Sequence, residues 1–125
     1  MRKEKGQSLI EVILALSVVV IILVGLIRVA VVSMRNARYA RDEAQATQYA
    51  QQSIEEARRL RDEQGNDFFV DSSCNDGPET IDVIFTRERD CNLDGSNMEV
   101  MVTVGWEEGG QDKEVVLETV LTPWR

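Results

Sequence analysis

The chain has 125 residues, 43% of them hydrophobic, with 22 acidic against 14 basic side chains and a formal net charge of −8. It contains no histidine, which removes the commonest general base, the Ser/His/Asp and Cys/His arrangements and most zinc sites. No glycine-rich phosphate loop appears, so the composition points away from an enzyme and implies no cofactor. Charge is divided along the chain: residues 62–125 hold 16 Asp or Glu against 4 Lys or Arg, and residues 28–61 hold 7 basic against 4 acidic. An acidic C-terminal half repels phosphate, so a nucleic-acid role would rest on Arg28, Arg35, Arg38 and Arg41 alone. A position at lipid headgroups or on a solvated helix face accounts for those arginines more simply.

The chain opens with a short charged segment that ends in Gly6. From Leu9 to Ile27 there follow 19 residues with a single charge, Glu11, about 28 Å of helix and enough to span the hydrocarbon core of a bilayer. A secretory signal has a shorter apolar region and a small-residue cleavage site, whereas here the apolar run resumes as Val29–Val32 after Arg28. An ionisable residue inside such a segment costs at least about 2.5–3.5 kcal/mol at the bilayer centre and marks a functional position by default. Three residues into the run, Glu11 could also sit at headgroup level at little cost.

The helical period continues without proline or glycine through "RNARYARDEAQATQYAQQSIEEARRLRDEQ". Ala37, Ala40, Ala44, Thr47, Ala50, Ile54, Ala57 and Leu60 form a stripe of mostly small residues. Glu55 with Arg59 and Arg58 with Asp62 stand four apart and are expected to pair. Gly65 supplies a left-handed cap, so one helix is expected from near residue 7 to residue 63, roughly 85 Å long.

Beyond Gly65 the period changes to two. "TIDVIFTR" reads as a strand. "MEVMVTVGW" alternates Met98, Val100, Val102, Val104 and Trp106 against a more polar set, and "KEVVLETVL" returns with Val115, Leu117 and Leu121 on one face. Gly109 and Gly110 between them provide the positive φ of a tight hairpin. Three antiparallel strands with one oily face need a cover, and the helix stripe of residues 40–60 is the one available. Pro123 ends the last strand, and Trp124 is expected to pack back on the head. The fold class is therefore α+β, a long N-terminal helix on an antiparallel sheet of three to four strands.

Two further signals are weaker. Cys74 and Cys91 lie 17 apart in polar surroundings, a spacing that suits a disulfide loop better than a paired-cysteine metal site. If bridged, they place this half outside the cytoplasm. "DCNLDG" presents Asp90, Asn92, Asp94 and Gly95 in the order of a calcium loop, but the twelfth position is Met101 where a bidentate glutamate is required. Only an irregular calcium site, or an acidic turn before a strand, remains.

The segment "GQSLIEVILAL", Gly6–Leu16, with its basic leader and the apolar helix that begins there, resembles the cleavage and assembly motif of type IV prepilins and the related pseudopilins. The resemblance implies removal of residues 1–6 by a prepilin peptidase on the cytoplasmic side, with the cut between Gly6 and Gln7 and methylation of the new amine of Gln7. Glu11 becomes the fifth residue of the mature chain and takes a role in filament assembly, pairing with a neighbour's amine. Residues 7–35 are then the transmembrane and filament-core helix, 36–63 its amphipathic half and 64–125 the β-sheet head.

Major pilins usually have phenylalanine at the first mature position and many carry a proline late in the apolar helix. Here stand Gln7 and, in that region, Arg28, which fits a minor pilin. The implied partners are other pilin subunits, the peptidase, the inner-membrane assembly machinery and, before assembly, membrane lipid. Arg2, Lys3 and Lys5 precede the span and four arginines follow it, so the charge count does not set the orientation. The resemblance does, implying a single-pass inner-membrane protein with a cytoplasmic N-terminus, later found in an extracytoplasmic pilus or pseudopilus. The alternatives are a pseudopilin of type II secretion and, from a different class, an uncleaved single-span membrane-anchored binding protein.

Overall fold

The computed structural model describes the backbone of residues 4–70 and 72–123 and the side chains of residues 8–70 and 73–123. One helix, α1, spans Glu4–Gln64. Four strands follow: β1 (Asp76–Ile81), β2 (Phe85–Asp94), β3 (Asn97–Glu108) and β4 (Gln111–Leu121). The chain divides into two compact units, residues up to Arg38 and residues from Tyr39 onward.

In the first unit α1 carries alanine, leucine, valine and isoleucine without a proline break, and every described side chain is exposed. In the second unit the rest of α1 lies on the sheet. It ends at Gln64, where Gly65 takes φ +60° and so stops the helix at no steric cost. Gly65–Phe69 form a 3₁₀ turn that drives Phe68 fully into the core, and a second, Ser72–Cys74, leads to the sheet.

The sheet is an antiparallel meander in the order β1-β2-β3-β4. The β2–β3 connection has two residues, with Gly95 at φ +63° in its first position, and the β3–β4 connection is Gly109-Gly110 at φ +61° and +78°. These are the positive-φ turns whose twist matches a hairpin. β3 alternates as expected, with Met98, Val100, Val102, Val104 and Trp106 buried. Val115, Leu117 and Leu121 of β4 face the same way. Together with Ala46, Ala50, Ile54 and Ala57 of α1, Phe68 and Phe85, they form one hydrophobic core.

Three details depart from the sequence reading. The strand expected at "TIDVIFTR" is the turn between β1 and β2: Ile81 pairs with Phe85, and Val83, in the three-residue loop, is 90% exposed. The strand missed is β1, whose "DGPETI" reads as loop. An irregularity between Asp76 and Glu79 takes Gly77 and Pro78 out of the ladder, and on an edge strand a proline is tolerated. The helix stripe also starts later than expected. Ala37, Ala40 and Ala44 are exposed, and the buried positions are Asp42, Ala46, Ala50, Ser53, Ile54 and Ala57. Likewise the surface ion pairs re-sort, Arg58 with Glu55 and Arg59 with Glu63. Trp124 lies outside the described residues.

The opposite face of the sheet is uncovered. It presents Glu88, Asp90 and Asp94 from β2, Glu99 and Glu107 from β3, and Asp112, Glu114 and Glu118 from β4, with no basic residue at any outward position of these three strands. Met101, Val116 and Val120 stand exposed among them.

Candidate functional site

The N-terminal site is built on α1. Gly6, Gln7 and Glu11 all lie within it, and because the helix is unbroken from Glu4, Gln7 and Glu11 stand one turn apart on the same face. An amine at residue 7 would thus lie about 6 Å along the axis from the backbone of Glu11. The Glu11 side chain is exposed, as are the apolar side chains that follow: Leu9, Leu16, Ile21 and Ile27 each keep more than half of their surface open. The most apolar stretch of α1 has none of its side chains buried and is long enough to cross a membrane. Residues 1–3 lie outside the described residues.

In the second unit Cys74 and Cys91 are joined in a disulfide with Cα atoms 5.9 Å apart. The backbone N–H of Cys91 also donates to Asn75 Oδ1 at 2.7 Å. Beside this bond lies the one buried arginine among the described residues, Arg89, 4% exposed. Its Nε donates to the Cys74 carbonyl at 2.7 Å, and its Nη1 donates to the Ser53 carbonyl and to Ser53 Oγ, both at 3.1 Å. Glu56 approaches the same guanidinium at 3.5 Å from a partly solvated position. Arg87, two residues earlier on β2, donates to the Tyr49 carbonyl at 3.4 Å and to Glu79 at 3.2 Å.

Tyr49 and Ser53 are one helical turn apart, about 6 Å of rise, while Arg87 and Arg89 are about 6.6–6.8 Å apart along the strand. The two periods nearly coincide, so successive inward arginines meet successive helix carbonyls. A guanidinium suits this because its fixed fork of donors can satisfy several carbonyls at once. The disulfide was expected from the sequence; the arginine clamp was not, because nothing in "FTRERDC" marks which arginine faces inward until β2 is located.

Asp90, Asn92 and Asp94 occupy alternate, outward positions of β2, opposite Met101, Glu99 and Asn97. They are strung along an extended strand and do not curl round a point, and Gly95 is simply the first residue of the turn. Among the described residues no group of three or more His, Cys, Asp or Glu stands where it could hold a metal ion. On the same face the Glu99 carboxyl titrates above its ordinary value of 4.5. The causes, in order, are a hydrogen bond with Glu118, the negative charge of Glu118, partial burial and the charge of Asp94.

Compared with known protein families, residues 1–27 match the prokaryotic N-terminal methylation motif. Its N-terminal segment is type IV prepilin-like. No curated protein sequence and no solved structure matches it. The match covers the charged opening segment, Gly6, Gln7, Glu11 and the apolar part of α1. The prepilin-like N-terminus is joined in the same chain to an α+β head, an arrangement that fits the pilin fold. A motif of this kind implies processing by prepilin peptidase, and the apolar helix fits membrane anchoring.

Proposed function

We propose that this chain is a minor pilin-like structural subunit, cleaved between Gly6 and Gln7, methylated at the Gln7 amine and assembled into a pilus or pilus-like filament through α1. The observation that carries this reading is the methylation motif at residues 1–27, which includes an exposed, uninterrupted apolar stretch of helix. Residues 1–6 are the leader, 7–35 the membrane and filament-core segment, 36–63 the amphipathic half of the helix and 64–125 the head.

Cleavage creates a positive amine beside the apolar segment. When helices bundle, that amine and the Glu11 carboxylate both leave water, and each unpaired charge would cost several kcal/mol. Pairing Glu11 with the amine of a neighbouring subunit removes that cost in one axial register only, so the carboxylate selects the register while the leucines, valines and isoleucines supply the packing. Before assembly the subunit spans the inner membrane with its N-terminus in the cytoplasm. The disulfide supports an extracytoplasmic head, because such bonds persist in oxidising compartments. The role is assembly, with no catalysis by this chain.

The test is intact mass and N-terminal sequencing of the protein made alongside a prepilin peptidase. A chain that starts at methylated Gln7, and a Gly6→Val variant that keeps its leader, are the expected results. A chain still starting at residue 1 or 2 would discard the filament reading in favour of an uncleaved membrane-anchored binding protein. Glu11→Ala is expected to be cleaved normally and to fail in assembly.

A further inference from the structure

Charge accounting over the described side chains leaves two unmatched sets. Arg41, Arg58, Arg59, Arg61, Arg87 and Arg89 each have a carboxylate partner within the chain. Arg28, Arg35 and Arg38 have none, and all three are exposed; Lys113, the remaining described base, is at an inward position of β4 and donates to Gln111 beside the Tyr39 ring. The outer face of the sheet is the converse: its eight carboxylates include none of the partners just counted, and no cation stands among them at the outward positions of β2, β3 and β4.

The two sets also agree in spacing. Arg28, Val31, Arg35 and Arg38 recur at intervals of three and four, so they share one helix face over about 15 Å. On β4, Glu114, Val116 and Glu118 point outward in alternation, with the two carboxylates about 13–14 Å apart along the strand. Each surface thus carries charge of one sign at both ends and an exposed valine between, with Met101 and Val120 widening the apolar strip on the sheet. A face with eight negative charges is repelled by an anionic bilayer and attracts a basic, partly apolar surface. The Arg28–Arg38 face offers one.

From this complementarity we infer that the outer sheet face is a docking surface for the Arg28–Arg38 segment of a second copy of this chain. The guanidinia take the places opposite Glu114 and Glu118, and the valines meet between them. Arg28, Val31 and Arg35 belong to the C-terminal end of the 7–35 segment, past Ile27 where the apolar run ends, so this contact is separate from the pairing of Glu11 with a neighbour's amine and does not depend on cleavage.

The test uses the full, uncleaved chain in a non-ionic detergent, so failure of peptidase processing leaves it readable. Self-association is followed by sedimentation velocity at low and high salt. Association that weakens with salt is expected for the native sequence. The pair Glu114→Arg with Glu118→Arg and the pair Arg35→Glu with Arg38→Glu are each expected to weaken it at least about tenfold, since like charges then face one another. All four sites are exposed, and an intact disulfide with unchanged helix content verifies the fold. An equimolar mixture of the two variants is expected to associate again, because each then offers the other an opposite charge. A native chain that stays monomeric at low salt overturns the inference, as do variants that associate like it. Loss that the mixture does not repair also overturns it and assigns the arginines to anionic lipid.

Discussion

Val20 in the first half of α1 and Val102 in β3 are the same side chain in opposite situations, 51% and 0% exposed. The contrast holds for the regions around them. Between Ser8 and Arg41 no side chain is buried, although the sequence there is the most apolar in the chain. From Asp42 onward a sparser supply of apolar residues is buried efficiently, because a sheet face, a helix stripe and a 3₁₀ turn close on one another. Apolar content therefore does not locate a core. The head buries one face of its sheet against its own helix stripe, while the apolar surface of the first half of α1 can leave water only against lipid or other helices.

The comparison is broken most strongly by removing what compensates for the head's small core. Replacing Cys74 and Cys91 with serine together opens a loop of 17 residues' separation, and the chain-entropy model puts the cost at about 3 kcal/mol. Urea unfolding of the full chain in detergent, followed by the near-ultraviolet signal of buried Trp106, measures it. The melting of the head should move by that amount while the ellipticity of the apolar segment is unchanged.

Next in size is Arg89→Met, which retains bulk but leaves the Cys74 carbonyl without its donor and Ser53 without its partner. About 2 kcal/mol is expected, from charge-assisted hydrogen bonds at a buried site. Arg89→Lys should recover only part, since one ammonium cannot reproduce the fork that reaches both Cys74 and Ser53. Glu56 contributes little to either result, because it is partly solvated.

The valine pair sharpens the same comparison. Val102→Ala removes two fully buried methyl groups and should cost about 2 kcal/mol of head stability. Val20→Ala should cost less than about 0.5 kcal/mol in the same unfolding experiment. An equal effect at both positions would mean that the first half of α1 is held by the folded head and not by its surroundings.

What the sequence disclosed follows from how local each signal is. The long helix, its stop at Gly65, the alternation of β3 and the Gly109-Gly110 turn are written in short windows, and each is present where those windows put it. Residues 80–87 misled because Ile81, Val83 and Phe85 have the spacing of a strand whether the chain runs straight or turns back at Asp82, and only pairing with Arg87 and Thr86 decides. β1 was hidden by Pro78, which an edge position excuses. Phe68 and Arg89 were unreadable for a different reason: one is buried by a 3₁₀ turn and the other by neighbours 15 and 36 residues away. At the N-terminal candidate site Gly6, Gln7 and Glu11 stand in one contiguous stretch of the matched residues 1–27, which is why that candidate could be named from the sequence and the clamp could not.

The smallest expected effect tests the uncovered face of the sheet against the covered one. Glu99 and Glu118 share a hydrogen bond there, and in the folded chain the Glu99 carboxyl titrates above 4.5. The fold therefore binds a proton that the unfolded chain has already released in the interval just above that value. Stability from this group is present in full below pH 4.5 and is lost as pH rises through the raised value, leaving two facing carboxylates at neutral pH. Glu118→Gln removes the second charge and keeps a hydrogen-bonding group beside Glu99. Melting temperature at pH 7 should rise by about a degree, and the rise should shrink in acid, where Glu99 of the native chain takes up its proton. The same variant leaves the buried face untouched, so a larger shift, or one that persists in acid, would mean that the outer face is packed against something and is not simply solvated charge.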